Sequence, residues 1–243
     1  MEYYRIAGLS VAMESFGKTV DQAKPYLGEA VGEPDIVIRS NWQRLKEKQP
    51  EISDESCEYL STGASFYRQL IKFNGIMIHS SAVVVDGKAY LFTAPCGTGK
   101  STHTALWLRE FGDRAVILND DKPAVRLEDG VFYAYGTPWS GKTNQNLNRR
   151  VPIGGICILA RGEKNEISRV TGKTAIFGLL SQTVRPKNEV FMNKVLDLLS
   201  RLIDTVPIWQ LFCTMDLEAA RVSYEAMSSA SQKNLTGGIH YEA

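Results

Sequence analysis

A lysine and a serine at the end of a glycine-rich loop are the residues whose spacing most directly suggests chemistry. Residues 94–101 read APCGTGKS and match the pattern G-x-x-x-x-G-K-[ST], with alanine in place of the first glycine. In this pattern the loop N–H groups surround a polyphosphate, the lysine reaches its β- and γ-phosphates, and the serine ligates Mg²⁺. We therefore expect ATP and Mg²⁺ as ligands, with Ser101 on the metal. The residues predicted to bind nucleotide are Pro95, Cys96, Gly97, Thr98, Gly99, Lys100, Ser101 and Thr102.

The residues on either side of this glycine-rich loop predict the strand and the helix that phosphate binding requires. Lys88–Thr93 (KAYLFT) is a short apolar run typical of a strand, and residues 101–111 (STHTALWLREF) favour a helix. The N-terminus of such a helix carries partial positive charge and directs N–H groups at a bound anion. Gly97 and Gly99 permit positive φ, which lets the main chain approach a phosphate closely. Cys96 lies inside the loop and is either an inert loop residue or a redox-sensitive one.

A second segment matches the same pattern, but its other residues argue against a phosphate cradle. Residues 136–143 read GTPWSGKT, in which Pro138 has no N–H to offer a phosphate and Trp139 is bulky. The residues that follow, NQNLNRR, are a poor start for a helix. The segment is therefore either a turn after the predicted strand Val131–Tyr135 or a loop that closes over the substrate. In the second interpretation the residues predicted to face phosphate are Ser140, Lys142 and Arg149 or Arg150, and Arg185 is a further candidate for neutralising the transferred group.

Two adjacent aspartates follow the next predicted strand. Residues 115–118 (AVIL) are apolar, and Asn119, Asp120, Asp121 and Lys122 come directly after them. Ligands of open parallel sheets bind at the carboxyl ends of strands, so both carboxylates are expected beside the glycine-rich loop. One carboxylate, assigned to Asp120, can hold Mg²⁺, and either of the two can accept the proton of an attacking hydroxyl. The alternative interpretation is an Asx turn with a purely structural role.

The composition is that of a globular protein without a global electrostatic preference. Of the 243 residues, 44% are hydrophobic and 23% are charged, which is ordinary for a chain that can bury a full core. The 28 Lys and Arg residues nearly balance the 27 Asp and Glu residues, so neither nucleic acid nor an anionic membrane is expected as a partner. The sequence lacks a run of about 18 apolar residues and a signal-peptide pattern. Four scattered cysteines fit reduced thiols, and a cytoplasmic location is expected.

Two Asp-Gly pairs predict β-hairpins inside an α/β fold. Asp86-Gly87 separates the apolar residues 75–85 from Lys88–Thr93, and Asp129-Gly130 separates residues 123–127 from Val131–Tyr135. An Asp-Gly pair between two apolar runs is a strong hairpin signal. We therefore expect a mixed sheet with hairpins rather than a plain alternation of strands and helices. His79 lies in the first of these predicted strands, either as a core residue or as a neighbour of the glycine-rich loop.

The chain is predicted to divide into three parts. Residues 1–73 form a small subdomain with strands at 3–13 and 35–40, and nothing in this part suggests chemistry. Residues 74–231 form the catalytic domain, in which the mixed sheet is flanked by helices that include residues 173–180, 189–203 and 217–229. Residues 232–243 are polar and are expected to form a flexible tail.

Taken together, these residues resemble the catalytic domain of the HPr kinase/phosphorylase family, whose superfamily includes the ATP-dependent phosphoenolpyruvate carboxykinases. Three elements match in order and spacing, namely a histidine before the first hairpin (His79), the loop APCGTGKS, and an Asp-Asp-basic motif at residues 120–122. The resemblance covers roughly residues 75–160 well and the remainder loosely. The chain looks most similar to short HPr-kinase-like proteins found near peptide-modification genes, some of which phosphorylate a serine on a small peptide.

The resemblance implies a P-loop variant with a mostly β core and an ATP- and Mg²⁺-dependent kinase activity. The γ-phosphoryl group would be transferred to a hydroxyl, such as a serine of a small protein or peptide. Asp120 or Asp121 would act as the base, with His79 as its partner, and Lys100 would stabilise charge on the phosphates. The hexamers of the family also imply a homo-oligomer.

The sequence departs from the family at several positions. Lys122 stands where the kinase/phosphorylases usually carry arginine, and Thr102 stands where they carry an acid. GTPWSGK replaces the segment that marks HPr recognition and the phosphorylase reaction, so neither is expected. Carboxykinase activity is not expected either, because the chain is much shorter and has no second cluster of metal ligands. The alternatives that stay open are a kinase for a small-molecule hydroxyl, and a nucleotide-binding switch or ATPase without transferase activity.

Overall fold

The protein contains a three-stranded sheet near the N-terminus and a nine-stranded mixed sheet flanked by helices. The structure is a computed structural model that describes residues 1–236, with side chains over residues 1–229. This mixed α/β architecture agrees with the fold class expected from the sequence. No helix among residues 1–236 is long and apolar enough to cross a membrane.

The first sheet begins with a tight hairpin where the sequence predicts one strand over residues 3–13. Strand β1 (Glu2–Ile6) pairs antiparallel with β2 (Leu9–Met13), and the turn residues Ala7 and Gly8 have φ values of 52° and 78°. Two consecutive residues with positive φ reverse the chain with the twist that paired strands require. Strand β3 (Ile36–Ile38) then adds to the sheet parallel to β2.

Three helices complete the N-terminal part: α1 (Lys18–Ala23), α2 (Trp42–Lys48) and α3 (Asp54–Leu70). Helix α3 begins after Ser53, whose hydroxyl accepts a hydrogen bond from the Ser56 N–H at 3.2 Å and so caps the helix. The buried face of α3 packs in one cluster with the small sheet and with Trp139 from the central region of the chain. The N-terminal part therefore shares a hydrophobic core with the rest of the protein.

The large sheet is mixed, and its longest strand joins its two halves. Its strands are β4 (Gly75–Met77), β5 (Ser80–Val85), β6 (Lys88–Thr93), β7 (Ala115–Asn119), β8 (Ala124–Glu128), β9 (Val131–Tyr135), β10 (Arg150–Arg161), β11 (Glu166–Arg169) and β12 (Ile208–Cys213). They follow the order β4-β8-β9-β10-β6-β5-β7, with β12 beside β10 and β11 beside β12. Strand β10 is parallel to β6 and β12 but antiparallel to β9.

Both hairpins predicted from Asp-Gly pairs are present in this sheet. Strands β5 and β6 pair antiparallel around Asp86 and Gly87, and β8 and β9 pair around Asp129 and Gly130. All four turn residues have positive φ, with values of 49°, 74°, 47° and 80° in chain order. Aspartate and glycine are the residue types that adopt this backbone at low cost, so the turn chemistry fixes the register of both hairpins.

The run at residues 75–85, expected as a single strand, is broken at Ile78 and His79. Strand β4 pairs with β8 at one end of the strand order, whereas β5 pairs with β6 and β7 at the other end. Two residues of extended chain advance by only about 7 Å, so the sheet must curl until its two ends meet. His79 lies at the seam where they meet.

Helices cover the sheet on both sides. Helices α5 (Gly172–Leu180) and α6 (Glu189–Thr205) bury their apolar faces in one core cluster with β4, β8 and β10. Helices α4 (Lys100–Phe111) and α7 (Leu217–Thr236) pack together in another cluster with β5, β6 and β12. The indole N–H of Trp107 on α4 donates to the Ser223 hydroxyl on α7 at 2.9 Å, so the two helices are fixed by a buried polar contact.

The last helix extends further than the sequence indicates. Helix α7 continues to Thr236, so residues 232–236, expected as the beginning of a flexible tail, are helical. The rest of the predicted tail, residues 237–243, lies outside the described residues.

Trp139 is a large buried contact between the N-terminal part and the central region. Trp139 is 0% exposed and stacks on Phe66 of α3 with 4.9 Å between ring centroids. Its indole N–H donates to the Thr62 hydroxyl at 3.2 Å, and a Cβ added at Gly63 would lie 2.9 Å from its ring. Trp139 therefore packs against α3 at Gly63, where a larger residue would clash with its ring.

We predict that Trp139→Ala lowers the free energy of unfolding by about 3–5 kcal/mol, because it removes a large buried side chain and leaves a cavity. The matched control is Trp42→Ala, since Trp42 belongs to a helix without buried residues and makes one edge-on contact with Phe16. That control should cost about 1 kcal/mol. Urea unfolding followed by circular dichroism measures both values, and equal costs would contradict the structural role of Trp139.

Candidate functional site

The glycine-rich loop connects β6 directly to the N-terminus of α4. Gly97 and Gly99 have φ values of 78° and 119°, a region that favours glycine. Helix α4 begins at Lys100, and no side chain caps its N-terminus. The first N–H groups of an α-helix have no partner within the helix, so this terminus can donate several hydrogen bonds to an anion.

A cavity of about 480 Å³ lies beside this helix terminus. It brings together residues from four separate parts of the chain: the β4–β5 junction, the glycine-rich loop with the start of α4, the end of β7, and the segment after β9. The lining residues are His79, Cys96, Gly97, Gly99, Lys100, Ser101, Thr102, Asp120, Asp121, Gly141, Lys142 and Thr143. We call this space the phosphate-loop cavity.

Asn119 shapes the turn that presents both aspartates to the cavity. Its side-chain oxygen accepts hydrogen bonds from the N–H groups of Asp121 at 3.0 Å and Lys122 at 2.7 Å. Its amide nitrogen donates to the carbonyl oxygen of Thr137 at 2.9 Å. The turn that the sequence offers as a structural alternative is therefore formed by Asn119, and Asp120 and Asp121 are among the residues that line the cavity.

Asp120 is the more buried of the two aspartates and is held from the side of β5. Its side chain is nearly inaccessible, with 7% of the residue exposed, and its Oδ1 accepts a hydrogen bond from the Ser81 hydroxyl at 2.6 Å. Ser81 also contacts the Thr104 hydroxyl on α4 at 2.7 Å. This chain of hydroxyls ties the Asp120 carboxylate to the helix that begins at the glycine-rich loop.

Asp121 contacts two basic side chains. His79 Nε2 lies 3.1 Å from Asp121 Oδ1, and the ammonium of Lys122 contacts Oδ2. Burial raises the pKa of Asp121, but the hydrogen bond from His79 and the charge of Lys122 outweigh it, so its pKa lies below the usual value. Asp121 is therefore an ionised carboxylate with a fixed orientation at neutral pH.

Lys100 reaches back over the loop that precedes it. Its ammonium donates to the carbonyl oxygen of Ala94 at 2.9 Å. Burial lowers the pKa of Lys100, and the electrostatic effects of Cys96, Asp121 and Asp120 raise it. Lys100 thus places a partly desolvated cation next to the helix terminus, where a bound polyphosphate would be stabilised most strongly.

The second pattern match, residues 136–143, forms a tightly packed turn and no helix follows it directly. A Cβ added at Gly136 would lie 1.8 Å from the carbonyl oxygen of Leu147, and one added at Gly141 would lie 2.9 Å from the Cβ of Asp121. Both glycines of the pattern are therefore explained by close packing and, at Gly141, by a φ of 71°. Lys142 from this turn lines the phosphate-loop cavity.

Two side chains of the N-terminal part hold this turn at Gly141. The Tyr59 hydroxyl accepts a hydrogen bond from the Gly141 N–H at 2.8 Å, and the ammonium of Lys18 donates to the Gly141 carbonyl oxygen. Burial lowers the pKa of Lys18, as do the nearby charges of Lys122 and Lys142, whereas Asp121 raises it. Sequence reasoning assigned no chemistry to residues 1–73, and Lys18 and Tyr59 carry no motif that could have indicated their position.

Several residues proposed from the sequence as substrate ligands lie elsewhere. Ser140 is buried, and its hydroxyl accepts a hydrogen bond from Asn146 at 2.9 Å, so it does not face the cavity. Arg149 and Arg150 line a different cavity, because the chain leaves the phosphate-loop cavity after Thr143. Arg185 is exposed on the connection between α5 and α6 and is not among the residues that line the phosphate-loop cavity. Of the predicted basic ligands, only Lys142 is placed there.

A second cavity of about 400 Å³, lined in part by aliphatic side chains, adjoins the first. The two share Gly97, Gly99 and Thr102 in their linings, so they form one continuous depression around the start of α4. At the border between the two cavities, the guanidinium of Arg161 donates to the Gly97 carbonyl oxygen at 2.9 Å. The second cavity is lined by Leu106, Leu159, Cys213 and Met215 among others.

Comparisons with known proteins give little independent support. No family model and no curated protein matches the chain. Among solved structures, the chain is similar to the HPr(Ser) kinase/phosphatase from Coxiella burnetii, with 10% sequence identity and a TM-score of 0.38 over 66% of this chain and 99% of that chain. Similarity this weak does not establish a shared fold, so we base the functional proposal on the cavity.

We predict that Gly136→Ala destabilises the protein by about 2 kcal/mol or more, because its Cβ would overlap the Leu147 backbone and overpacking of this kind cannot relax easily. Gly28→Ala is the matched control, since the nearest atom to its added Cβ is 3.4 Å away, an ordinary contact. Chemical unfolding measures the difference. A Gly136→Ala variant as stable as the Gly28→Ala variant would show that the turn can shift freely.

Proposed function

We propose that the protein is an ATP- and Mg²⁺-dependent phosphotransferase that transfers the γ-phosphoryl group to a hydroxyl, on a serine of a small protein or peptide. The observation that carries this proposal is the arrangement of one cavity. The uncapped N-terminus of α4, Lys100, Asp120 and Asp121 all line it. Such a cavity suits a polyphosphate next to an acceptor hydroxyl.

The adjoining cavity supports a nucleotide rather than a simple phosphate as the donor. Leu106, Leu159 and Met215 line it, and aliphatic side chains of this kind suit the flat faces of a nucleobase. The border between the two cavities runs along Gly97 and Gly99, where the loop backbone can follow the phosphate chain. One continuous ligand with a base at one end and phosphates at the other would occupy both.

The cavity also contains side chains that fit a magnesium ion. Mg²⁺ in phosphoryl-transfer sites binds through one or two protein oxygens together with phosphate oxygens and water. Ser101 and Asp120 both line the cavity, and the Ser81 hydroxyl donates a hydrogen bond to the Asp120 carboxylate. When bound, the ion would neutralise charge on the phosphates. No cluster of three or more His, Cys, Asp or Glu side chains that could hold a metal alone occurs among the described residues.

The remaining residues divide the catalytic work. Lys100 and the N–H groups at the start of α4 would hold the phosphates, and Lys142 would neutralise the transferred group. Asp121, oriented by His79, would accept the proton of the attacking hydroxyl as the oxygen–phosphorus bond forms. We assign the base to Asp121 because it is the more accessible of the two acids and contacts His79, whereas Asp120 is tied to Ser81.

The test measures transfer of labelled phosphate from ATP to serine peptides and release of free phosphate. Lys100→Ala should reduce turnover by roughly 10²–10³-fold, and Asp121→Asn should reduce transfer by about 10²–10⁴-fold while ATP still binds. Lys48→Ala, on exposed α2, is the control and should behave as the wild type. Unchanged turnover in Lys100→Ala would end the nucleotide assignment, and label found only as free phosphate would favour an ATPase switch.

We further predict that His79→Ala moves the acidic limb of the kcat–pH profile to higher pH. The hydrogen bond from His79 lowers the pKa of Asp121, and burial, which raises that pKa, remains in the variant. A base with a higher pKa becomes protonated and inactive earlier as the pH falls. His79→Gln keeps an N–H donor and should move the limb less. A limb that stays in place in His79→Ala would show that His79 does not act through Asp121.

A further inference from the structure

Four arginines surround a third cavity, separate from the phosphate-loop cavity. It has a volume of about 400 Å³ and lies where the N-terminal hairpin meets strands β8 to β10. Its lining residues are Arg5, Gly8, Arg126, Glu128, Tyr135, Asn148, Arg149 and Arg150, a set that we call the arginine pocket. The pocket contains a single carboxylate for four guanidinium groups, although the chain as a whole has a net charge of only +1.

Two of these arginines are held by the single acid. Arg126 Nη1 lies 2.7 Å from Glu128 Oε1 and also donates to the carbonyl oxygen of Ala7 at 2.7 Å. Arg150 Nη1 lies 3.0 Å from Glu128 Oε2. The Tyr135 hydroxyl donates to the same carboxylate at 2.6 Å. Glu128 is therefore fully engaged and has no capacity for the other two guanidinium groups.

Arg5 and Arg149 keep unpaired charges at the mouth of the pocket. Both residues are exposed, and no carboxylate among residues 1–229 forms an ion pair with either. A guanidinium group binds a carboxylate through two parallel hydrogen bonds, which gives both strength and orientation. The arginine pocket is thus preorganised, with one half of its charge fixed and the other half available to an anionic ligand.

The chain itself limits how far this pocket lies from the catalytic residues. Thr143 lines the phosphate-loop cavity and Asn148 lines the arginine pocket. Five residues of fully extended chain cover at most about 18 Å, so the walls of the two cavities lie within that distance. An extended peptide of roughly five or six residues has the same reach and could occupy both at once.

We propose that the arginine pocket binds an acidic side chain of the acceptor peptide, roughly three to six residues from the hydroxyl that receives the phosphoryl group. This inference rests on the proposed kinase function and narrows its substrate to acidic peptides. The pocket would hold one end of the peptide through Arg5 and Arg149, while Asp121 receives the hydroxyl at the other end.

The experiment compares two synthetic peptides with one serine in a glycine and glutamine background. One carries Glu at the third to sixth positions on both sides of the serine, and the other carries Gln there. Binding is measured without ATP by fluorescence anisotropy at physiological ionic strength, which screens non-specific attraction. The wild type should bind the Glu peptide at least about tenfold more tightly. The double variant Arg5→Gln with Arg149→Gln should lose this preference.

The control variant also loses two arginine charges, but outside the arginine pocket. Arg39→Gln with Arg109→Gln changes two exposed arginines outside the arginine pocket and should retain the preference. Both double variants should keep the circular dichroism spectrum of the wild type, which reports that they fold. Equal binding of the two peptides by the wild type, or a preference that survives in the Arg5 and Arg149 variant, would overturn the proposal. A competition experiment gives a further outcome against the proposal. If inorganic phosphate displaces the labelled Glu peptide at a lower concentration than unlabelled Glu peptide does, the pocket binds a free anion.

Failure of the kinase proposal gives a different result. One outcome is that tighter binding of the Glu peptide depends on Arg5 and Arg149, but the protein phosphorylates neither peptide with ATP. In that case the pocket binds acidic peptides and the proposed function is wrong. If both peptides are phosphorylated with equal kcat/KM and bind equally, the proposed function stands and the pocket inference is wrong.

Discussion

The two-residue connection between β4 and β5 constrains the whole large sheet. Because Ile78 and His79 alone join strands at opposite ends of the strand order, the sheet has to curl, and its ends meet beside the end of β7. The Ser80 N–H donates to the Asp121 carbonyl oxygen at 3.2 Å at this seam. His79 can therefore reach Asp121 only because the sheet closes.

Closure of the sheet also concentrates charge. Four lysines approach the two aspartates from different parts of the chain: Lys100 from α4, Lys122 from the turn after β7, Lys142 from the turn after β9, and Lys18 from α1. Like charges held this close in a partly buried site cost free energy unless an anion joins them. The arrangement is therefore costly for the protein without a bound anion.

Two segments match the same sequence pattern but differ in their structural surroundings. Residues 94–101 follow a buried strand and lead into a helix, and Gly97 and Gly99 have positive φ. Residues 136–143 match the same pattern, but their roles are structural. Gly136 leaves room for the Leu147 backbone, and Trp139 packs against α3. The sequence predicted that no helix follows the second match, and the structure has none directly after it.

The local elements could be predicted from residue types and spacing: both Asp-Gly hairpins, the strand–loop–helix around Lys100, and the turn that carries Asp120 and Asp121. These depend on φ preferences, apolar periodicity and residues close together in the chain, which are visible in a single sequence. Three features became clear only from the folded structure: the run at 75–85 breaks at Ile78 and His79, Lys18 contacts the turn at Gly141, and Arg149 and Arg150 line a separate pocket. Those outcomes depend on which distant segments pack together, and the free energy of that packing is not encoded in any local pattern.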